Sequence, residues 1–439
     1  MEQRTDGPSK VQSGTFAVLY KLKNVDPSKM ELAPILARKK SAPGLDFDQH
    51  IKPTFEQLES TLFQMQVIVV RVLTTYSEHF KDLANSPELQ HKPRYPLPLE
   101  KTETFPLRVT TLNEATIAGT IQIWQNVYEE QLGRTHKQME NIAVPSFNDQ
   151  LTNARIRGAR SLRLQDINPF LRLENIQLGY GAFHKCLNLV WAILKIHQGT
   201  IRQLGSLKYF FALLEKTRLA NDKPDYHTLL SALFQILNGI LLQAWRHECG
   251  FTTLKLFAES KPTPQDLLRI AQRIIRNHAT AMEELPPPKK GKKKTKEDEP
   301  SPIEALPPSK KGQENTEEDE SSSSSEESDE GEDGSARPLP AADPPLPADN
   351  PQMDRGRRNI RLLVRDLLYV AELVRAISDG DWGRVEDIIG QLTMMFRGAG
   401  SNNYSTELLH FIHNLKLVWG DDFAYVFFFV MKHLIYYLN

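Results

Sequence analysis

The segment from Leu285 to Gly356 limits what this chain can fold into more than any other feature of the sequence. It opens with three prolines, continues through a lysine block into a serine and acidic tract, and stays rich in proline to Pro351. Very few aromatic or branched apolar side chains occur in it, so burial cannot offset the entropy that ordering would cost. We therefore predict a disordered linker over residues 285–356, inserted between two parts that can fold.

The rest of the chain has the composition of a folded protein. Of 439 residues, 40% are hydrophobic and 25% are charged, so the parts outside the linker can bury a core. The formal net charge of −1 argues against a globally basic nucleic-acid binder. Two cysteines, Cys186 and Cys249, give neither a disulfide framework nor a four-cysteine zinc site. This cysteine content is typical of a reducing compartment, and we expect an intracellular protein.

Neither end of the sequence predicts a membrane segment. The first residues have no apolar core that could act as a secretory signal. The only strongly apolar run, Phe423 to Met431, is followed by Lys432 and His433 before a second short run to Leu438. A membrane span needs about 20 predominantly apolar residues. We expect a buried C-terminal helix or strand here, the alternative being a tail anchor.

Apolar residues recur every three or four positions through most of the chain, which predicts a predominantly α fold. The helical stretches are residues 53–83, 114–132, 187–197, 206–219, 226–245, 264–284, 357–374, 381–396 and 404–419. Two short strands are expected at 142–147 and 173–180, with a basic helix between them, which adds a small α/β part. The predicted organisation is a disordered N-terminus (1–15), a main helix-rich α/β domain (16–284), the linker, and a helical C-terminal part (357–439) that packs back on the main domain.

Four short motifs occur in an order that resembles a known family. These are His91-Lys92-Pro93 with the following stretch to Leu107, Phe147-Asn148-Asp149-Gln150-Leu151-Thr152 continuing to Arg155-Ile156-Arg157-Gly158, Gly181-Ala182-Phe183-His184-Lys185, and Phe396-Arg397-Gly398-Ala399-Gly400-Ser401-Asn402-Asn403-Tyr404. The last three are similar to the GDQLT…RIRG, GDFH and FxGxGSxNY motifs of domain of unknown function 6589, a transposon-derived family of fungal genomes. The resemblance runs from about Phe16 to Trp419.

The resemblance implies a relative of the RNase H-like transposases, with a small RNase H-like sheet core. In such enzymes acidic residues at strand ends hold two divalent ions about 3.5–4 Å apart, and Mg²⁺ suits their oxygen ligands. Asp149 would be the first of these residues, catalytic and metal-binding. However, Ala182 stands at the acidic position of GDFH, and the sequence after Trp419 departs from the family. We therefore expect a decayed, non-catalytic protein without a cofactor, with Mg²⁺ only if activity survives.

Several motif residues also have simpler interpretations. Asp149 could instead cap the helix that begins near Thr152, because aspartate side chains accept hydrogen bonds from unpaired helix N–H groups. A basic cluster could contact DNA phosphates or form a solvated, ion-paired surface; its members are Arg155, Arg157 and Arg160, followed by Arg163.

Two further spacings carry weaker signals. Glu407, His410 and His413 have a metal-binding spacing, but no matching Glu-x-x-His occurs elsewhere. His184 and Cys186 lie two residues apart, with no identifiable third residue to orient a nucleophile.

The linker carries two signals of its own. Its lysines can act as a nuclear-localisation signal or bind nucleic acid nonspecifically; they are Lys289, Lys290, Lys292, Lys293, Lys294 and Lys296. Its serines precede acidic residues, as in substrates of acid-directed kinases; they are Ser321, Ser322, Ser323, Ser324, Ser325 and Ser328. Each phosphate would add about −1.5 to −2 charge, and the tract could bind basic proteins such as histones.

Two hypotheses of function follow. The first is a transposon-derived, DNA transposase-like protein that has lost catalysis and works in the nucleus in contact with DNA. The second is a non-enzymatic helical scaffold whose charged linker binds partner proteins.

Overall fold

Helices dominate the computed structural model, which describes residues 14–15, 17–22, 25–95, 103–221, 223–279 and 351–433. The α-helices are α1 Leu32–Ser41, α2 Phe55–Tyr76, α3 Ile117–Gln125, α4 His136–Met139, α5 Gln150–Leu162, α6 Ala182–His197, α7 Leu207–Leu213, α8 Tyr226–Glu248, α9 Leu254–Glu259, α10 Pro264–His278, α11 Pro351–Ser378, α12 Trp382–Gly398, α13 Asn402–His413 and α14 Asp421–His433. Shorter 3₁₀ or π segments cover Pro27–Met30, Phe47–Ile51, Glu78–Asn85, Pro87–Leu89, Asn126–Gln131, Thr217–Ala220 and Asn414–Val418. The predicted predominantly α fold is confirmed.

The described strands form two small sheets. Strand β1 (Val18–Tyr20) pairs antiparallel with β2 (Thr104–Pro106). Strand β3 (Val144–Asn148) pairs parallel with β4 (Ile176–Tyr180), and α5 forms the crossover between them. The carboxyl ends of β3 and β4 therefore lie side by side, followed by the first turns of α5 and α6.

Local capping explains where several helices begin. The Thr54 hydroxyl accepts from the Gln57 N–H while the Gln57 side chain accepts from the Thr54 N–H, so α2 starts on a reciprocal capping box. Helix α10 has the same device at Thr263, with Pro264 at its first position, where a missing N–H costs little.

Two predicted helices are shorter than expected. The stretch predicted at 53–83 leaves the α conformation after Tyr76 and continues as the 3₁₀ segment Glu78–Asn85. The stretch predicted at 206–219 is interrupted after Leu213, because the backbone at Glu215 takes a φ of 57°, a left-handed conformation that cannot continue an α-helix.

The core joins the segments before and after the linker into one compact unit. Helices α2, α8, α10 and α11 pack against one another, and α12 packs on α2 and α6. Polar contacts also cross between the two segments, since the Arg94 backbone N–H donates to Asp381 Oδ2 at 2.8 Å. Inside the C-terminal segment, buried Arg384 makes two 2.8 Å bonds to the carboxylate of Glu372. Residues 285–350 of the predicted linker lie outside the described residues, whereas residues 351–356, also predicted as linker, form the start of α11.

The apolar run near the C-terminus is a core element as far as it is described. Phe423, Phe427 and Phe429 are each at most 2% exposed on α14, and the Trp419 ring stacks on Phe427 with centroids 4.2 Å apart. This confirms the expected buried helix through Met431; residues 434–438 lie outside the described part. By length and composition alone, one described helix, α8, could cross a membrane, and 44% of its apolar window is buried.

Candidate functional site at the carboxyl ends of the parallel strands

Three of the motif segments meet around one small pocket. It lies where β3 and β4 end, and α12 and α13 close it from the other side. We call it the motif pocket; its lining residues are Asn148, Asp149, Gln150, Tyr180, Gly181, His184, Lys185, Phe396, Tyr404, Glu407 and Leu408. Its volume is about 20 Å³, enough for one water-sized ligand atom. Clefts at the carboxyl ends of parallel strands are where α/β proteins bind ligands.

Asp149 follows β3 and is the N-cap of α5. Its Oδ1 accepts a hydrogen bond of 2.6 Å from the backbone N–H of Thr152. The helix-capping interpretation of Asp149 is therefore confirmed, while its catalytic and metal-binding roles stay predictions.

The second carboxylate of the pocket is Glu407, on α13. Asp166 and Glu174, the next two acidic residues along the chain after Asp149, do not line the pocket. Asp166 pairs with Arg163 at 2.5 Å, and Glu174 pairs with Arg172 at 2.9 Å.

Glu407 is 5% exposed and firmly held. Arg157 reaches Oε2 at 2.5 Å and Oε1 at 3.2 Å, and the Asn153 amide donates to Oε1 at 2.7 Å. Asn153 also donates to the Gly179 carbonyl at 2.8 Å, which fixes α5 against β4. In the sequence, the i, i+4 spacing of Asn153 and Arg157 indicates only that they share one face of a helix. No sequence pattern indicates their partner Glu407, which lies 250 residues beyond Arg157.

The described residues contain no cluster of three or more His, Cys, Asp or Glu side chains placed to hold a metal ion. The Glu407, His410 and His413 spacing does not form a site, because its members point to different partners. Glu407 binds Arg157, and His413 Nε2 lies 3.1 Å from the Pro43 carbonyl oxygen. Burial and the Arg157 charge lower the pKa of His410.

Lys185 is the least expected member of the motif pocket. Its side chain is 4% exposed, and Nζ lies 3.1 Å from the centre of the Tyr180 ring. Neither Lys185 Nζ nor the Tyr180 hydroxyl has a hydrogen-bond partner among the described residues. Burial lowers the pKa of Lys185 well below its usual value. In the sequence Lys185 is visible only as part of a motif, because burial of a lysine leaves no trace in local periodicity.

The neighbouring thiol does not support nucleophilic catalysis. Cys186 is buried, and burial raises the pKa of its thiol to about 12. A thiolate, the reactive form, is thereby disfavoured. The spacing of His184 and Cys186, already a weak signal in the sequence, therefore gains no support as an activated nucleophile.

The basic cluster of α5 is largely engaged inside the protein. Arg157 binds Glu407, and Arg163 binds Asp166. Arg160 donates to the carbonyl oxygens of Leu173, at 3.0 Å, and Ile176, and burial lowers its pKa to about 10. The predicted phosphate contacts of Arg157 and Arg160 are corrected accordingly: their donors already have protein partners. For Arg155, which is half-buried, the contact with DNA phosphates stays a prediction.

A larger cavity shares a wall with the motif pocket. Its volume is about 660 Å³, and Asn148, Asp149 and His184 line both spaces. Trp124 and Tyr128, stacked with centroids 5.7 Å apart, form an aromatic part of its wall. The lysine block 289–296 and the serines 321–328 lie outside the described residues, so their predicted roles stay predictions.

Comparison with known proteins identifies one family. The model of a family described as "Family of unknown function (DUF6589)" matches residues 40–431, which include all the lining residues of the motif pocket. No curated protein and no solved structure matches the chain.

Proposed function

Because the chain belongs to the family of unknown function DUF6589, we propose its function from the geometry of its own motif pocket. We propose a DNA-associated, catalytically inactive relative of RNase H-like, transposon-derived enzymes. One observation carries the proposal. Asp149 and Glu407 line one pocket at the carboxyl ends of parallel strands, and internal donors engage both carboxylates.

Loss of catalysis follows from how these carboxylates are used. Two-metal phosphoryl transfer needs carboxylate oxygens that are free to bridge ions about 3.5–4 Å apart. Asp149 gives one oxygen to its helix cap, and Arg157 with Asn153 binds both oxygens of Glu407. Ala182, the first residue of α6, offers no oxygen. These contacts support an inactive remnant of such a site.

Association with DNA is supported by a basic surface away from the pocket. Arg355 and Arg357 are exposed in the first turns of α11, and Arg202 is exposed on the loop that precedes α7. This loop packs on α11, because a Cβ added at Gly205 would lie 2.9 Å from the Gly356 carbonyl oxygen. We call Arg202, Arg355 and Arg357 the arginine surface. None of them pairs with a carboxylate among the described residues, so their charge is available to phosphates.

The test uses full-length protein and labelled duplex DNA. We expect the protein to bind DNA with a log K that falls linearly as the logarithm of the salt concentration rises. We expect no cleavage of the DNA with Mg²⁺ or Mn²⁺. Cleavage that Asp149→Ala abolishes would contradict inactivity. Absence of salt-sensitive binding would contradict DNA association and favour the scaffold hypothesis.

Charge reversal tests the arginine surface directly. The triple variant Arg202→Glu, Arg355→Glu and Arg357→Glu should reduce the salt slope by about three, because each lost phosphate contact removes about 0.9. A matched control reverses three exposed cations elsewhere, Lys137, Arg218 and Lys255. This control variant changes the net charge by the same amount and should keep most of the salt slope of the wild type. Equal effects of the two triple variants would exclude a localised surface.

The scaffold hypothesis remains the second candidate because of the separated lysine and acidic blocks in the linker. It requires that deletion of residues 286–352 abolish capture of partner proteins while the folded part stays intact. The lysine block also supports a nuclear location, which fluorescence microscopy of a variant with all six lysines changed to glutamine would test.

A further inference from the structure

The large cavity beside the motif pocket has the size and the wall of a small-molecule site. Its volume is about 660 Å³, and ligand cavities in proteins typically have about 300–1,000 Å³. The wall is mostly apolar, and we call the space the aromatic cavity after the rings that line it, which are those of Tyr20, Trp124, Tyr128 and Phe147. A wall of this kind binds a ligand that has an apolar body.

The charged groups of the aromatic cavity favour a cation. Glu114 and Asp149 contribute carboxylates and His184 an imidazole, but no lysine or arginine occurs among the described lining residues. Neither carboxylate forms an ion pair with another described residue. A phosphate or carboxylate ligand would therefore meet like charges without a lysine or arginine to bind it, whereas a cation would meet two carboxylates that lack a countercharge.

Two side chains of the aromatic cavity keep unused hydrogen-bond acceptors. Asp149 Oδ1 accepts from the Thr152 N–H at 2.6 Å, but Oδ2 accepts from no described residue. Tyr128 is only 6% exposed, and its hydroxyl makes no hydrogen bond to a described residue, although buried tyrosine hydroxyls usually have a partner. An ammonium group has three N–H donors and no acceptor, so it matches a site that offers acceptors.

We propose that the aromatic cavity binds a small organic ammonium ion with an apolar body, such as an arylalkylamine. The ammonium group pairs with the Asp149 carboxylate, and the apolar body lies against Trp124 and Tyr128, whose rings stack with centroids 5.7 Å apart. Aromatic rings of this kind also attract a nearby cation electrostatically. The proposal does not depend on DNA association, because the arginine surface shares no residue with the described wall of the cavity.

The experiment compares three ligands that share one apolar body and differ in charge. Phenylbutylamine is the cation, phenylbutanol is its neutral counterpart, and phenylpentanoate is the anion. Calorimetric titration of the full-length protein measures the Kd of each ligand. We expect the amine to bind about tenfold more tightly than the alcohol, because only the amine gains the carboxylate and ring attractions. We expect the anion to bind more weakly than the alcohol.

Charge-neutral variants locate the site. Asp149→Asn keeps a helix cap and should remove most of the preference for the amine over the alcohol, while the Kd of the alcohol stays the same. Glu259→Gln removes one exposed charge on α9 and should keep the full preference. Glu114→Gln, at an exposed position, should lower the preference in part, and it serves as the second test if Asp149→Asn fails to fold.

Three results would overturn the proposal. The first is that the amine does not bind. The second is that the amine and the alcohol bind the wild type with equal affinity, which would indicate a purely apolar site. The third is that folded Asp149→Asn keeps the preference of the wild type, which would place the amine elsewhere on the protein.

Discussion

The guanidinium group of Arg157 binds the carboxylate of Glu407 with Nη2 2.5 Å from Oε2, across 250 residues of sequence. Arg157 lies on α5 before the linker, and Glu407 lies on α13 after it. The same carboxylate accepts from Asn153, which also holds β4. This pair therefore joins the two halves of the chain at the motif pocket, so its loss affects both stability and the geometry of the pocket.

Removing one member of this pair should be costly. Arg157→Ala leaves the 5% exposed Glu407 carboxylate without its countercharge, and breaking a buried pair in this way costs about 3–5 kcal/mol of unfolding free energy. Arg163→Ala, which removes a short-range pair with Asp166, should cost about 1 kcal/mol or less. Urea denaturation measures both. Equal losses of unfolding free energy for the two variants would contradict the role of the Arg157–Glu407 pair in joining the two halves of the chain.

The cap at Asp149 predicts a difference between two substitutions. Asp149→Ala removes the acceptor for the Thr152 N–H and should cost about 1 kcal/mol, whereas Asp149→Asn keeps a good cap and should cost only a few tenths. Thermal unfolding with and without Mn²⁺ measures the effect. An equal cost for both variants, together with a Mn²⁺-dependent stabilisation seen only in the wild type, would instead identify Asp149 as a metal ligand.

Much of the fold could be predicted because its signals are local. The apolar spacing of α2, α8 and α10 and the proline at Pro264 are visible within one helix length. The end of α7 was missed because the positive φ at Glu215 belongs to a non-glycine residue, which carries no turn signal. Strands β3 and β4 were expected from short apolar runs, but no sequence pattern shows that they pair in parallel.

The site was only half predictable. Asp149 and the segment from Gly181 to Lys185 could be found as motifs, yet the partner of Asp149 in the pocket is Glu407, which tertiary packing alone brings there. For the arginines of α5 the sequence left open a choice between phosphate contacts and an ion-paired surface, because a positive charge in sequence does not show its partner. Arg160 contacts backbone carbonyls that only the fold places beside it.

His91 predicts a pH dependence of stability. Burial and the nearby Arg384, Arg71 and Arg375 lower its pKa to about 2 in the folded protein, while the unfolded chain takes up the proton near pH 6.5. Below pH 6.5 the unfolded state therefore binds more protons than the folded state. Unfolding free energy should then fall with decreasing pH, by up to about 1.4 kcal/mol per pH unit from this residue.

Substitution isolates the contribution of this histidine. Between pH 7 and pH 5, the stability difference between wild type and His91→Asn should shrink by about 1–2 kcal/mol. His79→Asn, at an exposed position, should keep a constant difference from the wild type. Urea denaturation at several pH values measures both. A His91→Asn curve parallel to that of the wild type would contradict the low pKa of His91.

Two glycines in helix interiors should respond to alanine in opposite directions. A Cβ at Gly390, on α12, would lie 2.0 Å from the Ile51 carbonyl oxygen, whereas a Cβ at Gly239, on α8, meets nothing within 4 Å. Gly239→Ala should stabilise by about 0.5–1 kcal/mol through lower backbone entropy in the unfolded chain. Gly390→Ala forces α12 away from a backbone atom that cannot rotate aside, and should destabilise by about 1–3 kcal/mol or more. Thermal unfolding compares them. Equal changes in stability for the two variants would contradict the close packing of α12 on Ile51.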